Sequence, residues 1–386
     1  MSAAIMTINA SNVKARLDSI LNTNYGNGAP GCALLVAKNG KVIYCGYRGV
    51  ADMDKKSAID KNTSFNIASI SKQFTVIGIL KCQELGLLNI DDYVSKYISE
   101  FKGDIWKKVK LSYLMSHSSG VPDKRPRTDK NFMLYSKDDD CLGYMHELNE
   151  LKFEPGTNYD YINPTFQILR EIIQRVSGMD FDSFQEKYLF KPAGMSRTTY
   201  FEPNKIIPNI AHGYIPKIAS KRKNQDSDSQ KTIEVANKYY QDSSGKEWSE
   251  YDYGEETFFA TKADGGIYTN IFDFLKWENA LLNSKCLNKG LLKKAYNPHT
   301  KVSGSKFCQY QNRPNTYYGY GWFIDSTPNK PLKIYHTGDN GGFQAYASKY
   351  PSCGVNVIML ENRNDIDRWT TQLKIEQILL EEGILH

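Results

Sequence analysis

The stretch Phe65–Leu80, "FNIASISKQFTVIGIL", decides how this chain is read. It places Ser69 three residues before Lys72, where the apolar spacing of Phe74, Ile77, Ile79 and Leu80 predicts the start of a buried helix. On a helix, residues i and i+3 share a face about 5–6 Å apart, so Lys72 can reach toward Ser69 while Ser71 points elsewhere. A serine at a helix start also has its backbone N–H directed outward, ready to meet a developing oxyanion. The competing reading is an ordinary N-cap, a position serine favours for its own hydrogen bond to the backbone. Spacing alone does not decide, because Ser-x-x-Lys recurs at Ser11, Ser99, Ser220, Ser243 and Ser303.

Outward from this stretch, the periodicity changes twice. An amphipathic helix is predicted over 9–22, and "GCALLVAKNGKVIYCGYRGVAD" (31–52) reads as two strands around an Asn39-Gly40 hairpin turn. From Ser69 the period is helical, with further helices predicted at 109–117, 163–176 and 180–190. Strand-like runs return at 318–325, 332–337, 343–350 and 354–361, before a last helix at about 367–383. The simplest assembly is an α/β protein of the α+β type. An antiparallel sheet, from residues 1–66 and 260–386, is flanked by N- and C-terminal helices, and residues 67–259 form an inserted, mainly helical region. Residues 217–256 are polar and serine-rich, which predicts a solvated, flexible loop.

At 386 residues with 40% hydrophobic side chains, the chain can bury a large core. Its net charge of +6 comes from 49 basic residues nearly matched by 43 acidic ones, with no dense basic run among aromatics, so no nucleic-acid partner is expected. Seven cysteines make an odd number without a CxxC pair, which predicts free thiols in a reducing compartment. No apolar run approaches the length of a membrane span, and the first residues lack a basic segment before an apolar core. A soluble, cytoplasmic protein is the expectation. The cysteines and histidines show no metal-ligand spacing and there is no glycine-rich phosphate loop, so neither metal nor cofactor is expected.

Two further stretches give Ser69 its context. "FEPGTNYDYINPTF" sets Tyr161 and Asn163 at the start of an apolar helix, and "KIYHTGDNGGF" sets His336, Thr337 and Gly338 at the end of a strand entering a glycine-rich turn. Ser69-x-x-Lys72, Tyr161-x-Asn163 and His336-Thr337-Gly338, in that order, resemble the three motifs of the serine β-lactamase and penicillin-binding superfamily, in its class C-like branch. The phrases "LSYLMSHSSGVPD", "FKPAGM", "DGGIYTNIFDFLKWENAL" and "YGYGWFID" look like landmarks of the same branch, and the likeness covers roughly residues 30 to 365. Tyr-x-Asn also occurs at Tyr25, Tyr268 and Tyr310, whereas Thr-Gly occurs once, so the specificity lies in the ordered set.

The resemblance implies a β-lactamase/transpeptidase-like fold and a serine hydrolase working through an acyl-enzyme. A serine hydroxyl is too weak an acid to attack an ester or amide unaided. By the resemblance, Ser69 is the nucleophile and Lys72 and Tyr161 form its proton network. Asn163 orients a substrate carbonyl or Lys72, or caps the helix beginning at Pro164. The oxyanion hole is implied to be the N–H groups of Ser69 and Asp339. His336 stands where β-lactamases usually carry lysine. An unperturbed histidine is mostly neutral at pH 7, so recognition of an anionic substrate should weaken. That favours an ester, amide or D-amino-acid peptide as small-molecule or peptide substrate over penicillins. The alternatives are a β-lactamase proper and a non-catalytic member that binds a peptide or cell-wall fragment. His117, in "SHSSG", reads as a structural landmark.

Overall fold

The Asn39-Gly40 turn forms with φ of 50° and 75°, the left-handed pair that a two-residue type I′ hairpin demands. It joins β1 (Cys32–Lys38) to β2 (Lys41–Arg48). The structure, a computed structural model, describes residues 10–386 except 27, 127–128, 130–131, 133–135, 203, 218–237, 251–260, 308–312, 314 and 329. The remaining main-sheet strands are β3 (Thr300–Lys301), β4 (Thr316–Tyr318), β5 (Phe323–Asp325), β6 (Lys333–Asn340), β7 (Phe343–Tyr350) and β8 (Val355–Glu361). They pair antiparallel in the order β3-β4-β5-β6-β7-β8-β1-β2. The first two strands therefore join the sheet through the last one, Cys32 facing Glu361 and Lys38 facing Val355.

Among the described residues the longer helices are α1 (Ala10–Asn24), α2 (Lys72–Glu84), α3 (Thr165–Ser177), α4 (Ile271–Leu282) and α5 (Arg368–Glu381); α1 and α4 pack on strands of the sheet, α5 packs beside α1, and α2 and α3 pack on each other. The period-2 pleat divides the core between the two faces. Leu34, Val36, Val357 and Met359 pack with Val13, Leu17 and Leu21 of α1 and Ile375 and Leu379 of α5. Ala33, Leu35, Ala345, Ala347 and Leu360 pack on the other face with residues of α2, α3 and α4. A strand covered on both faces reads as a continuous apolar run, as β1 does.

Three sequence readings are corrected. The run 318–325 is not one strand: β4 ends at Tyr318 and β5 begins at Phe323, because the chain turns through Gly321 at φ 81°. The helix predicted at 109–117 is confined to Leu111–Met115. Within the segment 217–256, residues 239–241 and 247–250 are strands that join 214–216 in a separate three-stranded sheet. Its polarity hides one anchor. Trp248 is fully buried, its indole N–H donating to Asp242 Oδ2 at 2.9 Å with the Arg363 guanidinium 4.6 Å over the ring. Residues 218–237 and 251–256 of that segment lie outside the described residues. Among the described residues no helix is long and apolar enough to cross a membrane. None of the six described cysteines is paired, and Cys308 lies outside the described set.

Candidate active site

Ser69 does not cap α2. It lies in a separate 3₁₀ turn, Ala68–Ser71, just before that helix, and no side-chain cap is made there. Ala68 has φ 46°, a left-handed conformation that costs a residue with a Cβ about 1–3 kcal/mol and persists where its surroundings fix it. Those surroundings are visible. Asn66 Oδ1 accepts from the Ala68 N–H at 2.8 Å, while Asn66 Nδ2 donates to the Gly265 carbonyl at 3.2 Å. The Ile67 N–H donates to the Ile267 carbonyl at 3.0 Å, and the Ile267 N–H donates back to Ser71 Oγ at 3.2 Å. The turn is thus pinned to the segment 265–267, and Ser69 stands on an elbow between sheet and helix.

Lys72 is fully buried and its Nζ donates to Ser69 Oγ at 3.1 Å and to the Asp264 carbonyl at 2.9 Å. The Asp264 carboxylate lies 3.9 Å away and is itself held by Gln167 Nε2 at 2.8 Å. Burial lowers the Lys72 pKa to about 8, against the opposing pull of Asp264. At neutral pH an accessible fraction of this amine is therefore unprotonated, as a proton acceptor needs. The ammonium group also sits 5.1 Å from the Tyr161 ring and 5.3 Å from Phe166.

Asn163 precedes α3, but it caps that helix with its carbonyl, which accepts from the Phe166 N–H at 3.0 Å. Its side chain makes no cap, and its buried Oδ1 has no hydrogen-bond partner among the described residues. The capping reading of the Asn163 side chain is thereby corrected.

His336 is enclosed on β6. Nδ1 lies 2.6 Å from the Thr337 carbonyl oxygen, which can only accept, so the ring proton is on Nδ1. Nε2 is then the acceptor for the Tyr318 hydroxyl at 2.9 Å. Burial, with Lys72 nearby, lowers the His336 pKa to about 3, so the ring is neutral at physiological pH.

Gly338 faces the elbow, and a Cβ there would lie 2.3 Å from the Ile67 carbonyl oxygen. Only glycine lets β6 approach this closely. Beyond it, Gly341 and Gly342 form a two-residue turn whose flanking pair is Asn340 and Phe343. In a hairpin this tight the flanking pair exchanges hydrogen bonds, and the alternation of the antiparallel ladder then turns the Asp339 N–H away from β7. It points to the edge that β5, which pairs only with Lys333–Tyr335, leaves open. The Asp339 carboxylate takes both Nη groups of Arg368 at 3.0 Å.

Ser69, Lys72, Tyr161 and His336 thus form a chain of neighbours: Ser69 bonds Lys72, whose Nζ faces the Tyr161 ring, and the His336 ring lies 6.3 Å from that ring, centroid to centroid. Gly338, facing Ile67, brings Thr337 and Asp339 of the same strand alongside. Sequence reasoning did not assign Asp264, although it lies within the landmark "DGGIYTN". It also did not single out Tyr318, which bonds His336, or Arg368, which bonds Asp339. Among the described residues no group of His, Cys, Asp and Glu is arranged to hold a metal.

Comparison with known proteins identifies the family. The Beta-lactamase family model matches residues 10–374. Penicillin-binding protein 4* of Bacillus subtilis is 26% identical over 341 residues, covering 86% of this chain and 68% of that protein. Protein flp of Staphylococcus aureus is 26% identical over 358 residues, and the chain spans only 63% of its length. Among solved structures, D-amino acid amidase from Ochrobactrum anthropi superposes with a TM-score of 0.74 at 18% identity, over 97% of this chain and all of that one. D-alanine carboxypeptidase AmpC from Burkholderia cenocepacia gives a TM-score of 0.70 at 19% identity, over 96% and 99% of the two chains. These likenesses bear out the expected antiparallel sheet with flanking helices. With the family model spanning nearly all of its length, this chain belongs to the Beta-lactamase family.

Proposed function

We propose that the chain is a serine hydrolase that forms an acyl-enzyme at Ser69 and releases it to water. The observation that carries this reading is the 3.1 Å contact between Ser69 Oγ and the fully buried Nζ of Lys72. In the neutral form, that amine accepts the serine proton as Oγ attacks the substrate carbonyl. The N–H groups of Ser69 and Asp339 hold the developing oxyanion. Tyr161, next to Lys72, passes the proton to the leaving group, and Asn163 aligns the acyl chain. A water then cleaves the ester by the reverse route.

The neutral state of His336 supports a substrate without a carboxylate at that position. An ester, an amide or a D-amino-acid peptide fits better than a penicillin. Among the structural neighbours, a D-amino acid amidase, which acts on an amide, lends the same weight.

The test is intact-mass spectrometry after treatment with a fluorophosphonate. A single adduct is expected on the wild type and none on Ser69→Ala with an unchanged melting temperature. An adduct on both, or on neither, would overturn the reading.

A further inference from the structure

We propose that His117 is a positioning residue for Tyr161, gripping the segment 160–162 from three directions. The proposal rests on the acyl-enzyme reading, in which Tyr161 carries a proton. The His117 carbonyl accepts from the Asp160 N–H at 2.9 Å. Its ring Nδ1 accepts from the Ile162 N–H at 3.2 Å. Between these two anchors, the His117 ring lies 4.2 Å from the Tyr161 ring, centroid to centroid, at an interplanar angle of 34°. One residue therefore fixes the amides on either side of Tyr161 and the face of its ring.

The anchor is itself fixed. His117 is 1% exposed and has φ 54°, the left-handed conformation, and its N–H donates to the Leu114 carbonyl at 3.3 Å. A non-glycine residue is held there only where the surroundings over-determine it, and such residues cluster at functional sites. Since a backbone N–H can only donate, Nδ1 must present a lone pair and the ring proton sits on Nε2. That nitrogen is buried without a hydrogen-bond partner among the described residues. Phe166, Tyr318 and Tyr159 enclose the ring at 5.2, 5.0 and 6.0 Å. Burial, with Lys72 and His336 close by, holds the imidazole well below its usual pKa, so it stays neutral and keeps accepting. Tyr161 is thus flanked by two neutral imidazoles of opposite tautomer, Nε2–H at His117 and Nδ1–H at His336.

The test pairs a spectroscopic signature with kinetics on the full chain. In ¹⁵N-histidine-labelled wild type at pH 7, the signals that vanish in His117→Asn are expected to show an Nε2–H tautomer. His117→Ala is expected to lower kcat about 10²-fold with KM changed less than about twofold, the loss typical of a misplaced proton-transfer group. Asparagine tolerates the left-handed conformation and offers a carbonyl oxygen near the Nδ1 position, so His117→Asn should regain at least about tenfold of that loss. An Nδ1–H tautomer, or a His117→Ala kcat within about threefold of wild type, overturns the proposal. If His117→Ala does not fold, the tautomer and His117→Asn decide it. A wild type that forms no fluorophosphonate adduct would instead end the acyl-enzyme reading, while the tautomer would still report on the grip.

Discussion

Lys72 has no exposure to water, and burial rather than a neighbouring cation is the main reason its pKa falls to about 8. If the neutral amine takes the Ser69 proton, activity must rise with pH through that value and level off above it. The expected profile of kcat/KM is therefore a single ascending limb near pH 8. Lys72→Ala and Tyr161→Phe should each cost at least about 10²-fold. A descending limb at pH 8 would show instead that the enzyme needs the ammonium ion. His336 tests the other half of the site. Its ring is neutral and both nitrogens are engaged, so it offers no cation to a carboxylate. His336→Lys is expected to raise the acylation rate by a fluorescent penicillin at least about tenfold, since a like-placed ammonium supplies the missing charge. An unchanged rate would mean that another group sets this preference.

The elements that place these residues were legible to different degrees. The run 343–350 is a strand from end to end because alternating residues face two different cores, and the hairpin at Asn39-Gly40 follows from turn chemistry alone. The Ser69 elbow was not legible. Its left-handed Ala68 is imposed by Asn66 and by contacts with residues 265–267, and its lysine rests on a backbone carbonyl, to which no side-chain pattern points. The motif order pointed to Tyr161 and His336, whereas the Ile162 N–H that sets the His117 tautomer and the Tyr318 hydroxyl on His336 Nε2 are partners that only the fold brings near. Gly338 joins these elements. A methyl group there would meet a backbone carbonyl rather than a yielding side chain, so Gly338→Ala must push β6 from the elbow. The expected result is a loss of about 1–3 kcal/mol in stability, read by denaturant titration, and slower labelling of Ser69 by the fluorophosphonate. Gly143→Ala, where nothing lies within 4 Å, should leave both unchanged.

At the scale of the whole molecule, one buried carboxyl ties the two ends of the chain together. Glu361 on β8 accepts from the Tyr25 hydroxyl at 2.6 Å, just after α1, while its second oxygen has no hydrogen-bond partner among the described residues. Burial raises its pKa from 4.5 to about 7. Between those values the folded state binds a proton that the unfolded state has lost, so folding stability falls as pH rises across this window. The penalty reaches at most about 3 kcal/mol above pH 7. Glu361→Gln keeps an acceptor for Tyr25 and cannot ionise. Thermal melts should therefore show the variant more stable than wild type at pH 8, with the gap closing at pH 5. An equal gap at both pH values would exclude ionisation as the cause. The contact between Ile67 and Gly338 has a consequence for the order in which the protein is made. The Ser69 elbow emerges from the ribosome early, yet the strand that completes its surroundings, β6, emerges only after the entire helical region. On the acyl-enzyme reading, an unfinished chain would carry Ser69 and Lys72 without the strand edge beside them, and the elbow gains its full surroundings only once β6 has been made and the sheet has closed around β1.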